Sequence, residues 1–333
     1  PIQLKAKEGL AFLNGTQAST AIAIKGLIDG IGALKHGLIA GALSVDTIQG
    51  SYKPFDARIH QLRPYVGQQL VSEILCSLLK DSQIGDSHQD CEKVQDPYSI
   101  RCQPQVIGAC LDQILFAKKQ LLIEANSVTD NPLVFFEQNE ILSGGNFHAE
   151  PVAMACDVLS MALSEIGALS ERRIALLMDT HMSGLPAFLV QESGLNSGFM
   201  IAQVTAAALA SENKTLAHPA CIDSLPTSAN QEDHVSMATW AARKLNMIVH
   251  NTQKIIAIEF LTALQGLGFR EPYKTSPILM AVADKVRETI KPLPQDRYLA
   301  KDIESMHRLI EGDALLNHVN KTFNSLDKQL LKD

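Results

Sequence analysis

The sequence lacks a positive charge excess: 29 Lys and Arg stand against 36 Asp and Glu, a formal charge of −7. A nucleic-acid-binding chain would carry a basic patch, so no nucleic-acid partner is expected. Aromatic residues are scarce, 5% of 333 with a single Trp, while Ala and Leu abound. That disfavours a β-sandwich or barrel and favours helices. No uninterrupted run of about 20 apolar residues is present, so no membrane partner is expected. The six cysteines (Cys76, Cys91, Cys102, Cys110, Cys156 and Cys221) contain no C-x-x-C pair. This excludes a zinc knuckle and a dithiol redox motif, and the cysteines are too sparse for a disulfide framework. They read as buried or free thiols in a reducing compartment. The first residues, Pro1 to Lys5, show no basic-then-apolar signal pattern, and a cytoplasmic location is expected. No phosphate-binding G-x-x-x-x-G-K-[ST] loop and no G-x-S-x-G nucleophile elbow occur. Gly30-x-Gly32 lies inside a helical pattern with Lys35 at the third glycine position, so it is no dinucleotide fingerprint. His148-Ala149-Glu150 and Asp233-His234 lack the i, i+4 ligand spacing, and no metal is expected.

What the chain does contain is helix, at 46% hydrophobic and 20% charged residues. Apolar periodicity predicts helices over about 5–13, 16–43, 65–79, 150–177, 198–216, 231–264, 276–290 and 303–330, the last broken at Glu311-Gly312. Asn14-Gly15 separates the first two. Residues 54–61 read as irregular and 80–94 as a loop. Asp96-Pro97 predicts a helix start, with Asp as N-cap and Pro at the first position, running to Asn126 with a disturbance at Pro104. After the turn Asp130-Asn131-Pro132, one short β-hairpin fits residues 133–143. The fold class is all-α: a long-helix bundle, with residues 1–333 as a single helical body. Helices apolar nearly all round, such as 199–210, require partner helices and predict an oligomer.

Four segments combine polar side chains with special backbone. Leu13-Asn14-Gly15-Thr16-Gln17 reads on spacing alone as a capped helix junction, with a rigidly held amide as the alternative. Around Gln95-Asp96-Pro97-Tyr98-Ser99-Ile100-Arg101, Tyr98 and Arg101 stand at i, i+3 on one helical face. A helix N-terminus beside an Arg fork suits a carboxylate, and this segment tips towards function. Ser143-Gly144-Gly145-Asn146-Phe147-His148 reads either as a hairpin exit or as a pocket wall formed by Phe147. In Ser228-Ala229-Asn230-Gln231-Glu232-Asp233-His234, Asn230 and Asp233 imitate a capping box. Acidic residues stabilise a first helical turn anyway, so Glu232 has a strong structural explanation beside the functional one.

These segments, in this order, resemble the aromatic amino acid ammonia-lyase family, and its histidine-specific members most closely. The matching stretches include LNGTQAST, PFDARIH, KVQDPYSIRCQPQV, DNPLVF, SGGNFHAEPVAMA, LSERRI, NSGFMIAQVTAAALASENK and DSLPTSANQEDHVSM, over about residues 4–275. Residues 275–333 are only loosely similar. The resemblance implies a mostly helical homotetramer with active sites shared between subunits, and elimination of ammonia from L-histidine to give trans-urocanate. It implies a 4-methylideneimidazol-5-one (MIO) electrophile, made from an Ala-Ser-Gly triplet. Carried over residue by residue, Arg101 pairs with the substrate carboxylate, and Gln95 and Tyr98 are site residues of the same helix start. Asn14 lies beside the prosthetic group, Phe147 walls it, and Glu232 meets the imidazole.

The departure from the family pattern is the triplet itself. No Ala-Ser-Gly occurs in the 333 residues; the nearest strings are Ala18-Ser19-Thr20 and Met182-Ser183-Gly184. In the family the triplet precedes the segment that begins this chain. The expectation is therefore the C-terminal portion of a lyase subunit, inactive when isolated. The alternatives are another aromatic amino acid ammonia-lyase or aminomutase, and a catalytically silent helical oligomerisation fragment.

Overall fold

In a computed structural model, which describes residues 2–88 and 94–332, the apolar runs fold into helices joined by short turns. Two short helices and one long one come first: α1 (Glu8–Asn14), α2 (Gln17–Thr47) and α3 (Ala57–Gln61). Then follow α4 (Val66–Leu79), α5 (Gln83–Ser87), α6 (Tyr98–Arg101) and α7 (Gln103–Ala125). The hairpin β1 (Leu133–Phe135) and β2 (Glu140–Leu142) pairs antiparallel, Leu133 opposite Leu142. The second half holds α8 (Glu150–Met178), α9 (Thr180–Ser183), α10 (Met200–Leu216), α11 (Ala238–Leu267), α12 (Pro277–Thr289), α13 (Ala300–Glu311) and α14 (Asn324–Leu330).

The three longest helices, α2, α8 and α11, lie side by side and run in the same direction. Glycines on one face of α2 set their spacing. A Cβ on Gly26 would strike Leu245, on Gly30 Leu163, and on Gly37 would touch both Ile166 and Ile256. Glycine costs about 1 kcal/mol of helix propensity against alanine; here it admits neighbouring side chains to the helix backbone. Helices α7 and α10 run the opposite way. Gln103 at the start of α7 reaches Gly41 near the end of α2, and Gln203 early in α10 bonds Glu171 late in α8. By length and composition α8 is long and apolar enough to cross a membrane. Its most apolar window is 61% buried within this bundle, as in a core helix.

A polar knot lies at the centre of the bundle. The Arg173 guanidinium donates to both oxygens of Glu259, at 2.5 and 2.8 Å, and the hydroxyls of Ser44 and Ser170 add bonds of 2.7 and 2.6 Å. Both Arg173 and Glu259 are buried, so this ion pair joins α2, α8 and α11 out of reach of water.

Helices α4 and α7 meet at two glycines. A Cβ on Gly108 would lie 2.5 Å from the Gln68 backbone, and one on Gly67 2.1 Å from the Gly108 carbonyl oxygen. Gly108→Ala is therefore expected to lower stability, because backbone-to-backbone overpacking at about 1–3 kcal/mol outweighs alanine's better helix propensity. A urea unfolding midpoint equal to or above the parent's would refute this.

Several expected boundaries move. The helix expected from Gln231 begins at Ala238, because Met237 takes left-handed backbone (φ 55°), which a right-handed helix cannot run through. Ser228, Ala229 and Asn230 are left-handed as well (φ 52°, 56° and 69°), so Asn230 lacks the extended backbone of a cap and the expected Asn230/Asp233 capping box does not form. The helix expected over 96–126 is two helices that part at Cys102 (φ −99°, ψ 15°). Pro97 occupies the N-cap, and the Asp96 carboxylate accepts the Ser51 N–H at 2.7 Å instead. Pro104 falls in the first turn of α7, where its missing N–H costs nothing. Residues 54–61 are ordered rather than irregular: Asp56 caps α3 by accepting from the Arg58 N–H. The loop expected over 80–94 contains α5, capped by Ser82; Cys91 and Lys93 lie outside the described residues. The last expected helix breaks at Gly312 as predicted, but the chain then makes two 3₁₀ turns before α14.

Candidate active site

The six candidate residues fall into two groups at opposite ends of α2. Its 31 residues rise about 1.5 Å each, so the ends are about 46 Å apart.

The first group sits where α2, α8 and α11 begin. Asn14 closes α1 just before α2, Phe147 precedes α8, and Glu232 precedes α11. Because the three helices are parallel, their positive ends point the same way. None of their N-cap residues (Thr16, Ala149 and Met237) supplies a side-chain cap. First-turn N–H groups are thus collected at one end of the bundle, a setting that favours negative charge.

Asn14 is held through its amide nitrogen, which donates to the Asn131 carbonyl at 3.3 Å and more weakly to Asp130 Oδ1 at 3.5 Å. Asp130 is in turn paired with Lys7, and that bond chiefly holds its carboxyl below the usual range, with the Asn131 N–H second. Gly15 lets this junction close: a Cβ there would come within 2.2 Å of the Thr129 carbonyl oxygen. Asn131 also accepts the Gly144 N–H at 2.8 Å, which ties the hairpin exit to the Asn14 turn. The Gly144-Gly145 pair, by contrast, has no described atom within 4 Å of either missing Cβ, so it faces open space.

Phe147 is partly exposed beside that opening. Its neighbour His148 bonds the His234 carbonyl at 3.1 Å and stacks on the His234 ring, 5.8 Å between centroids. This contact joins the Phe147 turn to the Glu232 loop. Glu232 is exposed and anchored by a backbone bridge to Thr227. The Thr227 hydroxyl donates to its carboxylate at 2.6 Å. The Thr227 bond, with a second from Ser228, lowers the Glu232 pKa, so the carboxylate is ionised at neutral pH. Sequence reasoning had no signal for Thr227 or for the His148–His234 contact, since both depend on loop geometry. Asp130 was visible only as part of a turn.

The second group is at the far end of α2, before α7. Gln95 and Arg101 line one cleft of about 360 Å³ with Ser51, Lys53 and Gln105. The Arg101 Nε–H donates to the Asp96 carbonyl at 2.9 Å, and its guanidinium lies over the Tyr98 ring at 4.6 Å. The i, i+3 pairing of Tyr98 and Arg101 is therefore realised. One edge of the fork is spent on backbone and one face on the ring, which fixes its plane. Tyr98 itself is 70% exposed. The approach to the cleft is tied down by buried Asp46, which accepts from Tyr52 and Thr275, and from Ser82 at 3.0 Å. Burial pushes the Asp46 carboxyl and the Tyr52 hydroxyl upward.

Two groups of polar residues thus stand at the ends of parallel and antiparallel helices in one helical body. Residues 1–288 match the model of the aromatic amino acid lyase family, and the chain belongs to that family. Within it, the chain is 61% identical over 310 residues to the histidine ammonia-lyase of Burkholderia cenocepacia, covering 93% of this chain and 61% of that protein. Among solved structures it is similar to the histidine ammonia-lyase from Trypanosoma cruzi (TM-score 0.91, 41% identity, 99% of this chain and 63% of that one). It is also similar to the tyrosine aminomutase from Streptomyces globisporus (TM-score 0.90, 35% identity, 97% and 65%). The chain thus spans about three fifths of the length of the curated relatives it matches.

Proposed function

We propose that the chain is part of a histidine ammonia-lyase, which eliminates ammonia from L-histidine to give trans-urocanate. The observation that carries this reading is Glu232: an ionised carboxylate, anchored by Thr227, at the end of the bundle where Asn14 and Phe147 also sit. Such a group can accept an imidazole N–H, whereas a benzyl side chain offers it nothing. The identity to histidine ammonia-lyases supports the same substrate.

The family depends on the MIO group, and the converging N-termini of α2, α8 and α11 fit it, because they stabilise negative charge gathered at that end. When bound, the group supplies the electrophile that makes the substrate's amine a leaving group. This chain's own residues orient. Asn14, its nitrogen already engaged, presents Oδ1; Phe147 excludes water from one side; Glu232 holds the imidazole. Arg101 pairs with the substrate carboxylate, and Gln95 and Tyr98 stand beside it in the second group.

Since the two groups lie about 46 Å apart along α2, a site that uses both draws on at least two copies of the chain. That supports an oligomer with shared sites, for which the family resemblance implies a homotetramer. The continuous apolar core, from Ala23 to Leu326, supports one helical body over 1–333, with 275–333 the variable part. The five described cysteines are free, in keeping with a reducing cytoplasm.

The test is the holoenzyme assayed on histidine, phenylalanine and tyrosine, before and after Glu232→Gln. Histidine is expected as the preferred substrate, and the variant should lose about tenfold in kcat/KM for it, the worth of one hydrogen bond to a charged group. Turnover of phenylalanine or tyrosine without histidine would sink the substrate assignment and favour the aminomutase-like reading.

A further inference from the structure

One cluster stands apart from both groups. We propose that His250, His307 and Glu311 form a divalent transition-metal site, of the kind zinc occupies, that clips α13 to α11. One ligand atom from each of the three lies within 4.8 Å of the other two. His307 and Glu311 share a face of α13 at i, i+4, with Nδ1 to Oε2 at 3.7 Å. His250 comes from α11, its ring set edge-on to that of His307 at 87°, with centroids 4.8 Å apart.

His307 is the anchor. It is 1% exposed, and its Nε2 is buried with no hydrogen-bond partner among the described residues. Its Nδ1 is the nitrogen that faces Glu311, and coordination there would give this buried ring a strong bond. The other two ligands are exposed, so their side chains are free to turn. Tetrahedral zinc with bonds of about 2.0–2.1 Å sets its ligand atoms about 3.3 Å apart. The cluster closes to that spacing by movement of about 1.5 Å in His250 and Glu311, with the His307 ring left in place. Two further charges act on the cluster, Glu304 in favour of a cation and Lys254 against it. With Glu311, the surroundings are net negative.

Two imidazoles and one carboxylate suit zinc, cobalt or nickel rather than magnesium or calcium, which prefer all-oxygen sites. Three protein ligands leave a fourth position for water. The site does not belong to the proposed chemistry. His250 lies 12 residues into α11, about 18 Å from its start, and on the side that α13 covers. Its role is to fasten the variable C-terminal segment to the central bundle.

The experiment is zinc titration of tag-free, chelator-treated holoenzyme by calorimetry, with thermal unfolding in ZnCl₂, MgCl₂ and EDTA. The expected result is one zinc per chain and a zinc-dependent rise of a few degrees in Tm that magnesium does not produce. His250→Ala and Glu311→Gln alter exposed positions and leave the metal-free Tm unchanged. Each should weaken zinc binding by about tenfold or more and abolish the Tm rise. Absence of zinc binding would overturn the proposal, as would binding that both variants retain. Loss of histidine turnover on chelation, without a change in Tm, would overturn the fastening role.

Discussion

Replacing Glu259 with Ala is expected to cost about 3–5 kcal/mol of stability, the largest effect of any single change proposed for this chain. The carboxylate is fully buried and accepts four hydrogen bonds: two from Arg173, one from Ser44 and one from Ser170. Its removal strands a guanidinium that is 1% exposed and has no other acidic partner among the described residues. The cost arises from that uncompensated charge rather than from the pair's own strength. Removing both charges, as in Glu259→Leu with Arg173→Met, should therefore recover most of the loss. Urea unfolding of the parent, the single variant and the double variant checks both statements. A single variant within about 1 kcal/mol of the parent would show that water reaches this pair and that the helices are less tightly joined than described.

Arg101→Ala in the holoenzyme is expected to raise KM for histidine by about a hundredfold with a much smaller change in kcat. A fork that grips a carboxylate through two charge-assisted bonds contributes about 3 kcal/mol, and each 1.4 kcal/mol is tenfold. In the proposed role the contact is made to the substrate's carboxylate, which does not react, so ground state and transition state lose it equally. Arg101→Lys should restore only part of the affinity, because an ammonium cannot reproduce the fork held flat by the Asp96 carbonyl and the Tyr98 ring. Steady-state kinetics decide the matter: an unchanged KM would remove Arg101 from substrate binding.

The site and the fold were legible in the sequence to different depths. Helices α2, α4, α8 and α10 are written in apolar periodicity, and the hairpin in its turn residues, because these signals act between residues a few positions apart. The pairing of Tyr98 with Arg101 is of the same local kind. The Glu232 loop was misread, since an Asn and an Asp three residues apart look like a cap until the left-handed backbone at 228–230 intervenes. Pro97 likewise took the N-cap expected of Asp96, whose carboxylate accepts the Ser51 N–H across 45 positions of sequence.

By itself the sequence determined an all-helical chain of this family, with an Asn-Gly junction, an Arg-Tyr helix start and an acidic loop. It also excluded an Ala-Ser-Gly triplet within these residues. Only the tertiary structure decided that α2, α8 and α11 run parallel and gather their positive ends around Asn14, Phe147 and Glu232. It alone showed that Arg101 stands a helix-length away from them, which turns an oligomer from an expectation of apolar faces into a requirement of the proposed site. It alone brought His250 to His307 and Glu311, from a position 57 residues upstream of His307. The reason is physical. Periodicity and capping report what a segment does with its own backbone, over a turn or two. Which helix ends meet, and which charges face each other across a packed interface, depends on the register of long helices against one another.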